Sequence, residues 1–406
     1  MATRLRLPAL DWPLALAATG LLAIGLATVY SATSIAGMHH GLWVKQSMWL
    51  GVAVLAAYVA GGVHYRVYES LAYPLYGISL LLLAAVLVVG TSAMGARRWI
   101  DLGPLRFQPS EIAKIATAFV LARRFDQPDL DLTRLRAWFP PMLIVMIPFA
   151  LVAKEPDLGT SLAFPVMLVV MYFWAGMPLG QLALGLSPVL NVALFFVTHS
   201  LWWFGGAFVI LLGVVRPRLP VLLVFLALNI GVGWAVPHLW DRMHDYQKRR
   251  IETFLDPGND PYGSGYQIIQ SKIAIGSGGV LGKGYLKGSQ KALAFLPMRH
   301  TDFIYSVVGE ELGLIGSLTV VILYAVVILR GFRLAALARN GFASLMAAGV
   351  VAALFYHIMV NMLMTIGWAP VTGLPLPLLS YGGTALIVNC IQLGLLQNVA
   401  LRRQEY

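Results

Sequence analysis

The stretch Phe295–Gly313, FLPMRHTDFIYSVVGEELG, decides how this chain is read. It ends the only long polar segment in an otherwise apolar sequence. His300, Thr301 and Asp302 stand just before an apolar run, and Glu310 and Glu311 lie where that run begins. An ionised group at the rim of a membrane helix is costly to keep, so it pairs or performs a task. Asp302, reached from water, is a candidate general base.

Composition supports the membrane reading. The chain has 406 residues, 59% hydrophobic and 12% charged. Soluble domains carry about 25% charged residues. Apolar runs approaching the roughly 20 residues of a membrane helix recur along the whole length. The expected fold is all-α: a polytopic membrane helix bundle forming a single integral membrane domain, 1–406. Cys390 is the only cysteine, which excludes an internal disulfide and thiol–metal clusters. It reads as a small packing residue. Arg4 and Arg6 ahead of an apolar stretch could mimic a secretory signal, but the stretch is long and further spans follow, so an uncleaved first span is expected. The net charge of +11 comes without a soluble basic helix or aromatic–basic platform, which sets nucleic acid aside.

The apolar runs fall at about 11–30, 44–62, 73–91, 110–125, 138–153, 158–176, 181–199, 202–215, 219–237, 304–330, 342–366 and 380–400. Twelve spans put both termini on one side. With the N-terminus cytoplasmic, the inner connections other than the short 177–180 link are basic: Arg66; Arg123, Arg124, Arg134 and Arg136; Arg216 and Arg218; Arg330, Arg333 and Arg339; Arg402 and Arg403. That is the positive-inside pattern. The Arg216-Pro217-Arg218 turn splits one long apolar stretch into two helices. Outside, this topology leaves Arg97, Arg98 and Arg106, then Lys154, then a long loop, 238–303, with nine further Lys and Arg residues and Asp302 at its end. Long loops cross regardless of charge. The sharper reading is that these cations face an anion at the outer leaflet.

Several motifs lie on that outer side. In Gly95-Ala-Arg-Arg-Trp through Phe107-Gln-Pro-Ser-Glu-Ile-Ala-Lys114, Pro109 and Ser110 read as a helix start, with Ser110 able to cap it. Glu111 and Lys114 share a helix face, either as a structural ion pair or as a polar wall in which Lys114 meets a phosphate. In Lys154-Glu-Pro-Asp-Leu-Gly-Thr160, Asp157 reads as an N-cap and Lys154 as the better ligand candidate. Asp241–Arg250 suggests a surface amphipathic helix, and Phe254–Gly263 is turn chemistry rather than a calcium loop. Gly265–Gly284 fails the phosphate-loop pattern: Ser277 stands where its first glycine belongs, and Gly284 where Ser or Thr belongs. Its exposed backbone amides, near Lys272 and Lys283, suit close approach to a diphosphate or a sugar, or mark a flexible re-entrant loop. His357 and Asn361 share a face and read as interhelical hydrogen-bonding groups. Gly373–Thr384, with two prolines and three glycines, is non-helical backbone that should line a cavity.

As an ordered set, ARRWIDLGPLRFQPSEIAK, KEPDLGTS, DYQKRR with FLDPGNDPYGSGYQIIQSKIAIGSGG, FLPMRHTDFIYSVVGEELG and GLPLPLLSYGGT resemble the SEDS family. These are the RodA, FtsW and SpoVE polytopic peptidoglycan glycosyltransferases. QSKIAIGSGG followed by GKGYLKGSQ resembles the RodA, cell-elongation branch. The resemblance implies polymerisation of lipid II, the undecaprenyl-diphosphate-linked disaccharide–pentapeptide, at the outer face of the bacterial cytoplasmic membrane. It places the family's essential aspartate on Asp302, its cavity glutamate and lysine on Glu111 and Lys114, and its arginine on Arg98. Lys154, Gln270, Ser271, Lys283, His300 and Thr301 complete the expected substrate-binding set. The implied partners are a class B penicillin-binding protein (a transpeptidase) and other membrane proteins of the elongation machinery. No metal-ligating residue is assigned, and a divalent cation, magnesium or manganese, is left open. The chain departs from the family in carrying Met298 for a usual Glu and Thr384 for a usual Ser. It also has twelve runs for a usual ten, the excess mapping to a helical hairpin near 181–217.

The implied reaction is attack of a sugar 4-hydroxyl on an anomeric carbon, with inversion, as lipid diphosphate leaves. Asp302 would take the proton, a role worth typically 10²–10⁴-fold. External cations, Lys114 first, would steady the leaving group. A lipid II flippase and a non-catalytic scaffold are the competing classes. The outward clustering of polar residues weighs against transport, because transporters bind near the midplane.

Overall fold

The computed structural model describes residues 10–34, 41–93, 96–102, 105–198, 202–215, 217, 219–242, 248, 252–256, 258, 265–289 and 298–402. Each of the twelve apolar runs is helical. The first three are α1 (Trp12–Thr33), α2 (Leu42–Gly62) and α3 (Tyr65–Val89). A small antiparallel meander follows, β1 (Thr91–Ala93), β2 (Ala96–Leu102) and β3 (Leu105–Phe107), in order β1-β2-β3. Next come α4 (Pro109–Phe125), α5 (Phe139–Lys154), the single turn α6 (Leu158–Ser161) and α7 (Ala163–Trp174). The region expected to hold the additional hairpin is α8 (Leu179–Thr198) and α9 (Trp202–Val215), followed by α10 (Leu219–Arg242). Then α11 (Tyr266–Ser277) precedes the last three long helices, α12 (Ile304–Leu337), α13 (Gly341–Thr365) and α14 (Gly383–Arg402). Among the described residues, eight helices are long and apolar enough to cross a membrane by length and composition.

Burial orders the bundle. In α13 and α14, 78% and 72% of the most apolar window is buried, against 11% in α2, whose outward side chains are left to lipid. Helix α13 packs against α4, α7, α12 and α14, and so forms the core of the bundle. The α8 and α10 helices are joined by a buried amide pair, Asn191 Nδ2 donating to the Asn229 carbonyl at 2.9 Å. Such bonds hold helices together where lipid supplies no hydrophobic drive.

Two local expectations change. Helix α4 does begin at Pro109, whose missing N–H costs nothing in the first turn. Its N-cap position, however, is Gln108, which makes no side-chain capping bond. Ser110 lies inside the helix, its buried Oγ lacking a partner among the described residues, because the proline sets the start one residue earlier than a serine cap would. The long polar segment, in turn, contains helix α11, packed on α12 and α13. Asp241 and Arg242 continue α10. Most of the expected surface helix, most of Phe254–Gly263, Arg216 and Arg218 lie outside the described residues.

Candidate functional site

Asp302 sits in a turn wound around one carbonyl. The amides of Thr301, Asp302 and Phe303 all donate to Met298 O, at 3.1, 3.1 and 3.3 Å. Phe303 and Ile304 are fully buried behind it and anchor the start of α12. Asp302 itself is half-buried.

The 366–382 loop closes over this turn. Tyr381 N donates to His300 O at 2.9 Å, and Ser380 Oγ donates to Thr301 O at 2.5 Å. From α13, Asn361 Nδ2 donates to both Asp302 O and Leu374 O, at 2.8 and 2.7 Å. Gly373 has φ +75°, and a Cβ there would stand 3.6 Å from Asp302 Oδ2. The non-helical stretch thus packs inside the protein against the aspartate turn. From α2, the buried Gln46 holds the same loop, donating to Ser380 O at 3.2 Å and accepting from Gly382 N at 3.2 Å. Sequence reading passed over Gln46, although a lone amide in an apolar helix was a usable signal.

Glu111 and Lys114 form a closed pair. Lys114 Nζ lies 2.8 Å from Glu111 Oε1 and 2.8 Å from His357 Nε2. An ammonium only donates, so Nε2 accepts. The three side chains are 4%, 2% and 4% exposed, so they tie α4 to α13 out of reach of solvent. The ion-pair alternative is the one this geometry supports; a wall facing a phosphate would need Lys114 open.

The 154–160 turn lies at the same end. Asp157 caps α6, accepting from Thr160 N at 3.1 Å and from Thr160 Oγ1 at 2.8 Å. Arg98 donates to Pro156 O at 2.7 Å and stands 3.6 Å from Asp157 Oδ2. Lys154 is exposed, so its charge is available to a ligand. Among the predicted residues of α11, Gln270 is half-buried. Ser271 is buried and committed to Ser306 Oγ at 2.6 Å and to Thr365 O at 2.5 Å, where it bridges three helices.

The glycine-rich segment approaches backbone rather than an open ligand site. Helix α12 breaks at Gly313 (φ 65°, ψ −158°). At the break, Lys283 N and Gly284 N donate to Glu310 O and Glu311 O, each at 3.0 Å. Leu314 N and Ile315 N return bonds to Gly279 O and Val280 O, at 2.9 and 3.2 Å. A Cβ at Gly282 would stand 2.1 Å from Glu311 O. Lys283 Nζ is held by Glu310 Oε1 at 2.7 Å and Ser289 Oγ at 2.6 Å. Glu311 accepts from Ser31 Oγ of α1 at 2.7 Å. Glu310 and Glu311 therefore fasten the 278–289 segment and α1 to α12. Among the described residues no group of three or more His, Cys, Asp or Glu is placed to hold a metal ion, and no residue is assigned to the cation left open above.

These features define a polytopic integral membrane protein in which the 366–382 loop closes over an aspartate turn. The chain belongs to the cell cycle protein family that groups FtsW, RodA and SpoVE, whose model matches residues 9–204 and 196–405. It is 39% identical to the peptidoglycan glycosyltransferase MrdB of Escherichia coli K12 over 95% of this chain and 94% of that protein. It is 35% identical to a probable peptidoglycan glycosyltransferase FtsW of Geobacter metallireducens, over 97% and 95%. Among solved structures, a chain of a peptidoglycan synthase complex that coordinates polymerisation and crosslinking superposes with TM-score 0.75 at 33% identity, covering 98% of this chain and 99% of that one. The rod shape determining protein RodA of Thermus thermophilus superposes with TM-score 0.65 at 29% identity, over 98% and 99%.

Proposed function

We infer that this chain is a peptidoglycan glycosyltransferase of the RodA type that polymerises lipid II, with Asp302 as the general base. The observation that carries the assignment is the half-buried Asp302 in a turn fixed by three amides on one carbonyl and by Asn361. The backbone that carries this carboxylate is set before substrate arrives, and positioning of this kind is a main source of catalytic power. Asp302 takes the proton of the acceptor 4-hydroxyl as oxygen attacks the anomeric carbon. The C–O bond to the lipid diphosphate breaks, and that group leaves as an anion. No carboxylic acid is needed to protonate it, unlike the leaving alcohol in a glycosidase.

Exposed Lys154 is the cation open to the diphosphate; Arg98, Lys114 and Lys283 are engaged by protein groups. His300 and Thr301 shape the acceptor side through the backbone they lend to the loop. The Asp302 end faces the outer side of the cytoplasmic membrane, with both termini inside, and the partner is a class B transpeptidase.

The test is polymerisation of lipid II by purified protein in detergent, with and without a divalent cation. Wild type is expected to make glycan strands, and Asp302→Asn to lose about 10²–10⁴-fold in rate at unchanged thermal stability. Undiminished polymerisation by the variant would refute the base assignment. Strand formation in detergent also separates polymerisation from transport, which requires a bilayer.

A further inference from the structure

Glu155 is a buried carboxyl to which the reaction above gives no task. It stands at the end of α5, 1% exposed, and among the described residues neither Oε1 nor Oε2 meets a donor. The Arg98 guanidinium from β2 is engaged in the same turn, on Pro156 O and beside Asp157, and its buried Nε has no acceptor. The turn thus holds a cation, an acid that shares it, and a second acid that does not.

Among the described residues no donor compensates Glu155. Lys154, the preceding residue, is exposed, and the Tyr356 hydroxyl from α13 donates to Gly159 O at 2.7 Å. A buried carboxylate with no donor is unfavourable, whereas a neutral carboxylic acid is tolerated. Burial, and then the charge of Asp157, push the Glu155 carboxyl up to about 8, with Arg98 opposing them.

The turn backs onto the Asp302 loop. A Cβ on Gly159 would stand 2.8 Å from Thr372 Cβ and 3.2 Å from Leu374 Cγ. Gly373 lies against the Asp302 carboxyl, and Leu374 shares Asn361 with Asp302.

We propose that Glu155 is a positioning residue that works as a neutral carboxylic acid. Uncharged, it leaves Arg98 to Pro156 and Asp157, and the 155–160 turn stays seated behind the Asp302 loop. Ionised, with its proton passed to water, it competes with Asp157 for Arg98 and unseats that turn. The effect on rate rests on the Asp302 reading above; the protonation state of Glu155 does not.

The experiment uses the full chain in detergent and two readouts. In infrared difference spectra taken across a pH titration, wild type shows a protonated-carboxyl stretch that disappears as pH rises through about 8. That band is absent in Glu155→Gln, and in Asp157→Asn it titrates at lower pH because a neighbouring negative charge is gone. In lipid II polymerisation, wild type loses about tenfold per pH unit above its titration point, as expected when one ionisation inactivates the enzyme. Glu155→Gln keeps its neutral-pH rate, with the alkaline loss moved up by at least one pH unit. A wild-type spectrum with no band altered by either variant overturns the proposal, as does a Glu155→Gln profile superimposable on wild type. Failure of the Asp302 reading looks different: Asp302→Asn polymerises normally while the Glu155 band and its titration persist.

Discussion

The Asn361 side-chain amide donates at once to the carbonyls of Asp302 and Leu374, at 2.8 and 2.7 Å. One buried residue of α13 thereby joins two segments that meet only at this end of the bundle: the turn that carries the proposed base, and the loop that closes over it. Replacing it with leucine keeps volume and strands both carbonyls. Each buried, unsatisfied group costs about 1–3 kcal/mol. Asn361→Leu is expected to lower thermal stability and to reduce kcat more than it raises KM, because the aspartate remains but its position loosens. Melting curves and steady-state polymerisation kinetics check this; a pure KM effect would show that Asn361 acts on substrate binding instead.

The Glu111–Lys114–His357 cluster makes the opposite forecast for a residue the sequence pointed to as a ligand. Lys114→Ala leaves Glu111 buried without its cation, which costs about 3–5 kcal/mol. Stability and activity should therefore fall together. The double change Glu111→Leu with Lys114→Met removes both charges and should recover most of the stability. A Lys114→Ala protein of normal stability with a raised KM for lipid II would restore the phosphate role.

At the α12 break, Gly282 (φ 80°) has no room for a side chain, since a Cβ would stand 2.1 Å from Glu311 O. Gly282→Ala must therefore shift the 278–289 segment or the helix. Residues held in such conformations cost of order 1–3 kcal/mol, and the four backbone bonds between the segment and the helix at the break would weaken with them. Amide hydrogen exchange is expected to quicken at Lys283, Gly284, Leu314 and Ile315 in this variant while α13 stays protected. Unchanged exchange at those four amides would count against the clasp.

The helices were legible because membrane burial is written in composition: an apolar run of sufficient length has few alternatives to a helix. The capping role of Asp157 and the inward path of Gly373–Thr384 were legible for similarly local reasons. Partners were not. Gly282 announces that something approaches closely, but not that it is the α12 backbone rather than a diphosphate. His357 reads as an interhelical donor or acceptor, yet its partner Lys114 lies 243 positions away. The β1–β3 meander was missed because its short strands are interrupted by glycine and proline and read as loop. Glu155 was missed because nothing in Lys154-Glu-Pro-Asp marks which of its charged residues the fold will bury.

Burial of Glu155 also makes folding stability depend on pH, and in the direction opposite to that of a salt-bridged acid. Burial raises its carboxyl from the ordinary glutamate value of 4.5 to about 8. The folded protein therefore holds this proton more tightly than the unfolded chain does. Between those values the unfolded state binds fewer protons, so stability falls as pH rises. The contribution is fully present below about 4.5, declines through the interval and levels off above about 8. Glu155→Gln cannot titrate and removes this slope. Thermal melts of wild type and Glu155→Gln in the same detergent should thus diverge steadily from pH 5 to pH 8, the variant being the more stable at the alkaline end. A constant difference across that range would mean that Glu155 is ionised in the folded protein.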